Sequence, residues 1–480
     1  MGGFNVSDLL LQVRITHLEE PMISSTLLIS FAAASFLFLS AFAVTSLRER
    51  EYRAAGISLA LAVVISGLLL SALGLPAQVR TLVLLGLLAI FLILLVLFLL
   101  PVGGIEPGPE TPRVQVDERT IMFARANLEP ESSDFEDYYQ AHPEHFKADQ
   151  RTRRKPGLLS PGARLTEPFS IAAARGSFYL TEALREAVSS EKAPEKIAAS
   201  PQELTAYLKS LAVHYGALDV GVTDLKPAQL YSHIGRGSGP YGAPITLEHP
   251  FAVAFTVEMD FQNTAAAPHP AQIMESSRQY VESARTAVQL AAAIRALGYD
   301  ARAHIDGNYR VITPLVARDA GLGEIGRIGL LMTPRQGPRV RLGVVTTSAP
   351  LETDPPQPNP ALLDFCRICR KCAENCPSQS IPHGERRFDN GVLRWKLDPD
   401  TCYRYWTSVG TDCGRCLAVC PYSHPDSWAH NLIRWGIDRS GLFRRAALLL
   451  DDLFYGKSPP PKPARFPFPE QSDPAPPQPE

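Results

Sequence analysis

The first hundred positions of the chain are dominated by three long runs of apolar residues. The runs cover residues 22–47, 54–76 and 81–101, and none of them contains a charged side chain. A helix of about 20 apolar residues is long enough to cross the roughly 30 Å hydrocarbon core of a membrane. A cleaved signal peptide carries a single apolar stretch of about 7–15 residues, which excludes that interpretation. The pattern therefore predicts a membrane anchor of three transmembrane helices over residues 1–101.

The distribution of arginines predicts the orientation of this anchor. Five arginines lie on one side and two on the other: Arg48, Arg50, Arg53, Arg113 and Arg119 against Arg14 and Arg80. Positively charged loops remain preferentially in the cytoplasm. No twin-arginine pair of an export signal is visible near the N-terminus. We therefore expect a multi-pass protein of the cell membrane, with everything after the third helix on the cytoplasmic side.

Beyond the anchor, a linker rich in glycine and proline (residues 102–115) leads into a region of mixed periodicity. Two segments have the apolar spacing of helices and two read as buried strands: Glu203–Tyr215 and Ser276–Leu297, then Phe251–Val257 and Val340–Thr346. Gly298 directly follows the longer helix, where a glycine commonly ends one. Long helices mixed with strands indicate an α+β fold. We expect its catalytic core over residues 116–350.

The end of the chain differs in composition from this core. Residues 351–457 contain all the cysteines and are expected to form a ferredoxin-like domain with a C-terminal extension that packs on the core. Residues 458–480 are rich in proline and are expected to be disordered. The whole chain of 480 residues has a formal net charge of −2, so its composition does not indicate a nucleic-acid surface.

The eight cysteines carry the clearest chemical signal, and all of them lie between residues 366 and 420. The first run is Cys366-x2-Cys369-x2-Cys372-x3-Cys376-Pro377, and the second is Cys402, followed by Cys413-x2-Cys416-x3-Cys420-Pro421. In such a pair of runs, three closely spaced thiolates bind one [4Fe–4S] cluster and the fourth binds the other cluster. The spacing predicts two clusters, one held by Cys366, Cys369, Cys372 and Cys420 and one by Cys376, Cys402, Cys413 and Cys416.

Two other uses of eight cysteines fit less well. Zinc sites are usually separate four-ligand units without Cys-Pro endings. Disulfide frameworks belong to small secreted domains rather than to a short segment of a long chain. The cysteines therefore indicate one-electron transfer.

Several segments together resemble the corrinoid-dependent reductive dehalogenase family. They include the opening DERTIMFAR (residues 117–125), the stretches ALGYDARAH and GLGEIGRIGLLMTPRQGPRVRLGVV, the cysteine run FCRICRKCAENCP, and the close DDLFYG (residues 451–456). The resemblance covers nearly all of residues 116–458. The cysteine motif alone also fits epoxyqueuosine reductases, which are related enzymes.

The membrane part carries a resemblance of its own. In that family the catalytic protein is commonly held by a separate anchor protein with three spans, and the first loop here contains Glu49-Arg50-Glu51, similar to a Glu-x-Glu motif of those anchors. The chain thus looks like an anchor fused to the enzyme. The alternative is that Glu49 and Glu51 are two solvated loop carboxylates.

The resemblance implies the cofactor and the catalytic residues. It implies a corrinoid (cobalamin, bound base-off) in a nitroreductase-like core, and the chain has no Asp-x-His-x-x-Gly motif to supply a histidine to cobalt. By motif position it implies Tyr280 as proton donor, assisted by Asn308 and Arg341. A guanidinium near a phenol stabilises the phenolate and makes the proton easier to give. Arg339 shares a strand face with Arg341 and fits the same role.

Two of these residues also have a purely structural interpretation. Tyr280 also fits as an ordinary aromatic residue of an amphipathic helix. Asn308 follows Gly307 and also fits as a turn residue.

A glycine-rich stretch has two interpretations. Gly321-x-Gly323-x-x-Gly326 matches a dinucleotide fingerprint, but no convincing strand precedes it. In the resembled family this stretch approaches the corrinoid, where Gly321, Gly323 and Gly326 would permit close backbone contact.

The leading hypothesis is a membrane-integrated oxidoreductase that reduces the carbon–halogen bond of an organohalide. Its expected partners are membrane lipid and either the quinone pool or a cytoplasmic electron donor. The alternatives are an epoxyqueuosine-reductase-like enzyme and a membrane-tethered, ferredoxin-type electron-transfer subunit.

Overall fold

The structure is a computed structural model that describes residues 6–109 and 111–464, with the backbone alone for residues 6–21. The helices of the described residues are α1 (Val6–Arg48), α2 (Tyr52–Ser71), α3 (Ala77–Leu99), α4 (Met122–Ala126), α5 (Ser133–Ala141), α6 (Pro143–Arg153), α7 (Pro168–Ala183), α8 (Pro201–His214), α9 (Phe261–Ala265), α10 (Ala271–Ala296), α11 (Thr313–Asp319), α12 (Pro360–Cys369), α13 (Lys371–Glu374), α14 (Pro399–Val409), α15 (Arg415–Ala418), α16 (Trp428–Arg439) and α17 (Gly441–Phe454). The strands are β1 (Val220–Asp224), β2 (Phe251–Glu258), β3 (Ala301–His304), β4 (Glu324–Ile325), β5 (Leu331–Met332), β6 (Val340–Thr347), β7 (Arg387–Asp389) and β8 (Val392–Arg394).

The chain divides into two compact units, which we call the anchor unit and the catalytic unit. The anchor unit comprises Met1–Gly103 and Asp426–Lys457, and the catalytic unit comprises Gly104–Pro425 and Ser458–Glu480. In the anchor unit, Met22–Arg48, Tyr52–Gly74 and Ala77–Leu99 form three helical segments that are long and apolar enough to cross a membrane. These segments agree with the three predicted runs to within a few residues.

The anchor unit also contains the last two helices, α16 and α17. The structure groups Asp426–Lys457 with the N-terminal helices. The predicted packing on the core of the C-terminal extension within residues 351–457 stays a prediction. One reason for the grouping is a polar contact in the first loop: Glu49 Oε2 lies 2.9 Å from His430 Nε2. Glu51 is also buried, at 6% exposure. The two glutamates are therefore not solvated loop carboxylates.

The catalytic unit is built on a four-stranded antiparallel sheet in the order β1-β2-β6-β3. Alternate residues of β2 point to opposite faces, as the pleat requires. Val253 and Phe255 enter the core against α10, whereas Ala252 and Ala254 face α11. Both faces of β2 are covered, which explains its continuous apolar sequence. The mixed α+β fold is thus confirmed.

The four elements predicted from periodicity are present with small shifts at their ends. Helix α10 begins five residues earlier than predicted, directly after Pro270, and Gly298 follows it with φ +85°. Strand β6 begins at Val340, so Arg339 lies just outside it. This boundary matters for the site described below.

The two segments expected to lack structure are partly described. The linker runs along the β7–β8 hairpin: Leu393 N donates to Pro109 O at 3.0 Å and Arg113 N donates to Asn390 O at 2.9 Å. In the tail, Lys462 N donates to Ala265 O at 3.0 Å. Residues 465–480, the greater part of the predicted disordered tail, lie outside the described residues. The predicted boundaries between core, cysteine domain and tail stay predictions.

Candidate active site

The cysteines converge through a series of short helices. Helix α12 carries Cys366 and Cys369, and Arg370, with φ 55°, turns the chain into α13 with Cys372. Burial, and then the neighbouring Cys366 and Cys369, raise the pKa of Cys372. The spacing thus brings the three thiols of the first run together.

The second group crosses between the two runs. Burial, and then Cys413 and Cys376, raise the pKa of Cys402 to about 12. Burial, and then Cys413, Cys402, Cys372 and Cys376, raise the pKa of Cys416. Crowded thiols of this kind form thiolates readily only when a metal binds them. The exchange of Cys376 into the group of the second run stays a prediction.

A buried arginine connects the glycine-rich stretch to the first cysteine run. Arg327 is 1% exposed and donates to Cys366 O at 3.0 Å, Pro382 O at 2.7 Å and Gly384 O at 2.9 Å. Its guanidinium carbon also lies 4.7 Å from the centre of the Trp395 ring. These contacts place a positive charge beside Cys366 and Cys372.

Tyr280 lies on the wall of a cavity of about 670 Å³. Aromatic side chains from three segments form part of the same wall: Phe123, Phe178, Tyr403 and Trp406. Polar groups at the cavity include Ser276, one helical turn before Tyr280 on α10, and Asp412. Asp412 directly precedes Cys413, a predicted cluster ligand, in sequence. The cavity therefore lies between α10 and the cysteine segment.

The structure brings Arg341 to Tyr280 and places Arg339 elsewhere. The Arg341 guanidinium carbon lies 4.7 Å from the centre of the Tyr280 ring. Its Nη2 donates to Ser276 Oγ and, at 3.3 Å, to Asp412 Oδ2. Arg339 is 1% exposed and instead donates to Ser423 O at 2.8 Å and to Glu258 Oε1 at 2.8 Å. The start of β6 at Val340 separates the two side chains.

Opposing effects on their pKa values determine the protonation of Tyr280 and Arg341. Arg341 lowers the pKa of Tyr280, but burial together with Asp306 and Asp412 raises the pKa by more, so its net pKa lies above the ordinary value. Burial lowers the pKa of Arg341, and Tyr280 and Asp412 raise it to above the ordinary value. At neutral pH the phenol therefore carries its proton and the guanidinium its charge.

Asn308 is buried, and its side chain is hydrogen-bonded to neighbouring residues rather than to Tyr280. Its Nδ2 donates to Arg185 O at 3.0 Å and to Ser238 Oγ at 3.2 Å, and its Oδ1 accepts from Arg302 Nη2 at 2.7 Å. It also closes a turn, with its backbone N donating to Ile305 O at 2.9 Å. Asn308 is not among the residues that line the two cavities bordered by Tyr280. These contacts match the turn interpretation more closely than a direct contact with Tyr280.

The three glycines of the fingerprint pack against protein. A Cβ at Gly321 would lie 2.9 Å from Pro355 O, one at Gly323 would lie 2.3 Å from Met332 O, and one at Gly326 would lie 2.6 Å from Met332 Cγ. The stretch joins helix α11 to the β4–β5 hairpin, so it is not the strand-to-helix turn of a dinucleotide fold. A Cβ at Gly326 would also come within 3.5 Å of Cys366 Sγ.

Several residues of the site were not identified from the sequence. Asp306 and Arg236 line the Tyr280 cavity, and Tyr309 borders a smaller one of about 120 Å³ on which Tyr280 and Arg341 also lie. Arg236 is held by Glu118, whose carboxylate also accepts from Gly235 N at 2.9 Å. The motif DERTIMFAR, which contains Glu118, was the available signal.

Polar atoms beside both cavities that Tyr280 borders are left unpaired by protein groups. Among the described residues, the Tyr241 hydroxyl lines the cavity of about 670 Å³ and Arg341 lines that of about 120 Å³, and the Tyr241 hydroxyl and Arg341 Nε are buried without a hydrogen-bond partner. A second cavity of about 750 Å³ is lined by Met122, Arg125, Trp395 and others, so the short helix α4 contributes to the walls of both cavities. Unpaired buried donors beside open volume are expected where a polar ligand binds.

Comparison with known proteins agrees with this arrangement. A family model described as "4Fe-4S dicluster domain" matches residues 365–424. The chain is 33% identical over 291 residues to a tetrachloroethene reductive dehalogenase of Sulfurospirillum multivorans, covering 53% of this chain and 58% of that protein. It matches the solved structure of the catabolic reductive dehalogenase NpRdhA with a TM-score of 0.60 and 26% identity, over 74% of this chain and 49% of that one. An epoxyqueuosine reductase of Listeria monocytogenes is 32% identical over 22% of the chain.

These matches settle the nature of the cysteine segment. Its eight cysteines form a [4Fe–4S] dicluster domain. The chain spans between about half and three fifths of the length of these two dehalogenases.

Proposed function

Because this chain is a member of the reductive dehalogenase family, we propose that it reduces a carbon–halogen bond of an organohalide. The overall reaction consumes two electrons and one proton and yields a carbon–hydrogen bond and a halide ion. The observation that carries the proposal is the contact between Tyr280 and Arg341, with Tyr280 on the wall of a cavity that also reaches Asp412 of the dicluster segment. A cavity with a proton donor on one wall and an electron source behind another is what such a reduction requires.

The cavities flanking Tyr280 are the proposed site of a base-off corrinoid in a nitroreductase-like core. Aromatic walls and unpaired polar donors fit a large ligand with an apolar plane and a polar periphery. When bound, a corrinoid supplies a low-valent cobalt centre that delivers electrons to the carbon–halogen bond. Phe123 of α4 lines the larger of these cavities and Arg341 the smaller, so both would lie near the bound group. The predicted contact of Gly321, Gly323 and Gly326 with the corrinoid stays a prediction, because protein atoms occupy the space beside each glycine.

Tyr280 is the proposed proton donor and Arg341 its electrostatic partner. The raised pKa of Tyr280 keeps the phenol protonated until the proton is needed. The guanidinium then stabilises the phenolate that remains, because it already lies against the ring. Asn308 would act indirectly, by fixing the turn that carries Asp306 and Tyr309.

We further propose that the enzyme works on the cytoplasmic side of the cell membrane. The support is the excess of arginines on that side of three membrane-length helices. Electrons would come from the quinone pool or from a cytoplasmic donor and pass through both clusters. An electron-carrier protein alone does not need a cavity of this size beside a buried tyrosine and arginine, so we favour an enzyme over a tethered ferredoxin.

Anaerobic purification of the full chain, followed by cofactor extraction, tests the proposal. We expect one corrinoid and about eight iron atoms per chain, and halide release from a panel of chlorinated ethenes and brominated phenols with reduced viologen as donor. A Tyr280→Phe variant should keep both cofactors and lose turnover. Protein with intact clusters and no corrinoid would overturn the proposal, and so would turnover of an epoxyqueuosine tRNA substrate without any halide release.

A further inference from the structure

We propose that α16 and α17, which we call the C-terminal hairpin (Trp428–Phe454), insert into the membrane surface beside the three spans. The exposed apolar stripes of the hairpin would contact lipid at the boundary between headgroups and acyl chains. This inference concerns the anchor unit and does not depend on the reaction proposed above.

The first observation is an exposed stripe of large apolar side chains on α16. Trp428, Leu432 and Trp435 are each 46% exposed and occur at the i, i+4, i+7 spacing of one helix face. Arg439 continues the stripe, and its guanidinium lies 5.1 Å from the centre of the Trp435 ring. Aromatic and basic side chains combined in this way are typical of helices at a membrane surface.

Helix α17 exposes large leucines and buries one of its two arginines, Arg444, while Arg445 is exposed. Leu449 is 71% exposed and Leu453 is 46% exposed. The side chains turned inward are Arg444, with no exposure, and Ala447, at 3%. A helix facing water buries its leucines and exposes its arginines. In a lipid environment the preference is inverted, because charged groups pair inside the bundle.

Two buried polar side chains of the hairpin, Arg444 and His430, are hydrogen-bonded within the anchor unit. Arg444 Nη1 donates to Ile437 O at 2.9 Å, and its Nη2 donates to Val102 O at 3.3 Å. His430 Nε2 pairs with Glu49. Lipid offers no partner to polar groups, so internal satisfaction is a requirement for an element in contact with it.

The stripe is continuous with the apolar surface of the three membrane-length helices. The rings of Phe38 and Trp428 lie 5.5 Å apart, and the rings of Phe42 and Phe454 lie 5.3 Å apart. Phe38 itself is 51% exposed. If the first helix spans the bilayer, the apolar surface that touches lipid at Phe38 extends without a break onto Trp428. This continuity is why we assign lipid, rather than a protein, to the exposed face.

Tryptophan fluorescence of the full chain in lipid nanodiscs provides a direct test. The discs contain either ordinary or acyl-brominated phosphatidylcholine, which quenches only indoles that reach the acyl region. The difference in emission between the wild type and a Trp428→Phe/Trp435→Phe variant isolates the hairpin. We expect brominated lipid to reduce that difference at least twofold and aqueous iodide to change it little. The corresponding difference for Trp406→Phe, in the catalytic unit, should not respond to brominated lipid.

A photocrosslinking amino acid at position 449 gives a second readout that leaves both tryptophans in place. We expect lipid adducts at Leu449 and none at Val213, an exposed apolar residue of α8 used as the matched control. Strong iodide quenching without bromolipid quenching would overturn the proposal, because the stripe would then face water. Adducts at position 449 with a second protein chain would also overturn it, because a protein would then cover the face.

Discussion

The contact between Tyr280 and Arg341 makes a quantitative prediction for the variant Arg341→Gln. The substitution removes the cation that lies 4.7 Å from the phenol ring and 3.3 Å from Asp412 Oδ2. Two effects follow, one on folding and one on proton transfer, and they can be measured separately.

The effect on stability comes from Asp412. The side chains of Arg341 and Asp412 are only 17% and 9% exposed. Loss of one partner leaves the other charge buried, which typically destabilises a protein by about 3–5 kcal/mol. Adding Asp412→Asn removes the orphaned charge, so the double variant should recover most of the lost free energy of unfolding. Thermal unfolding under anaerobic conditions measures both changes.

The effect on activity comes from Tyr280. Without the guanidinium, burial, Asp306 and Asp412 still raise the pKa of Tyr280, and of the remaining influences only Arg236 lowers it. The phenol then becomes a weaker acid, and we expect kcat to fall by about 10²-fold, the lower end of the usual contribution of general acid catalysis. The pKa of Tyr280 is raised, so the phenol loses its proton only above the ordinary titration range of tyrosine. The activity of the wild type should therefore fall only above that pH range.

Halide release with reduced viologen, measured across pH, gives the rates. Arg341→Lys is the matched control, because lysine keeps the positive charge but lacks the planar guanidinium. Its kcat should lie between those of the wild type and Arg341→Gln. In a Tyr280→Phe background, which already lacks turnover, Arg341→Gln should lower only the free energy of unfolding. The reasoning fails if the Arg341→Gln/Asp412→Asn double variant recovers wild-type turnover along with its stability, since Arg341 would then be structural only.

Three further predictions concern the clusters and the scaffold. Arg327→Gln should lower the reduction potential of one cluster because it removes a positive charge beside Cys366 and Cys372; a lost charge interaction of about 1–2 kcal/mol shifts a one-electron couple by about 40–90 mV. Redox titration by electron paramagnetic resonance, with Arg327→Lys as control, would contradict this if both clusters kept their potentials. Cys376→Ser should damage the cluster of the second cysteine run and spare that of the first, which the same spectra resolve, and loss of the first cluster alone would refute the predicted exchange of ligands. Glu118→Gln should destabilise the fold by about 3 kcal/mol, because Arg236 would lose its buried partner. The control Glu129→Gln, at an exposed residue, should change the unfolding temperature little. Equal effects of the two substitutions would disprove a special role for Glu118.

The parts of the fold that were predictable from sequence are those where periodicity and burial coincide. The continuous apolar sequence of β2 is explained by two covered faces, and the three apolar runs correspond to three long helices. The grouping of Asp426–Lys457 with the anchor unit was not predictable in the same way. It depends on contacts such as Glu49 with His430, which join residues 381 positions apart.

The site shows the same limit at the level of single residues. Spacing alone could not separate Arg339 from Arg341, because both would share a face of a regular strand. The strand begins at Val340, so Arg339 turns to carbonyl groups outside the sheet while Arg341 reaches Tyr280. Asp412 was missed because it has no motif of its own beyond its place before Cys413. Its role depends on tertiary contacts with Arg341.

The position of Asp412 connects the two halves of the proposed reaction. Its carboxylate contacts Arg341 and raises the pKa of Tyr280, and its backbone continues into Cys413 of the dicluster domain. A Cβ added at Gly414 would lie 2.5 Å from the side chain of Gln272, two turns before Tyr280 on α10, so the loop at Cys413 packs directly on the helix that carries Tyr280. A negative charge at Asp412 disfavours loss of the proton from the phenol and, if Cys413 binds a cluster as predicted, also disfavours an added electron on that cluster. One buried carboxylate would therefore influence both the electron supply and the proton supply of the proposed reaction.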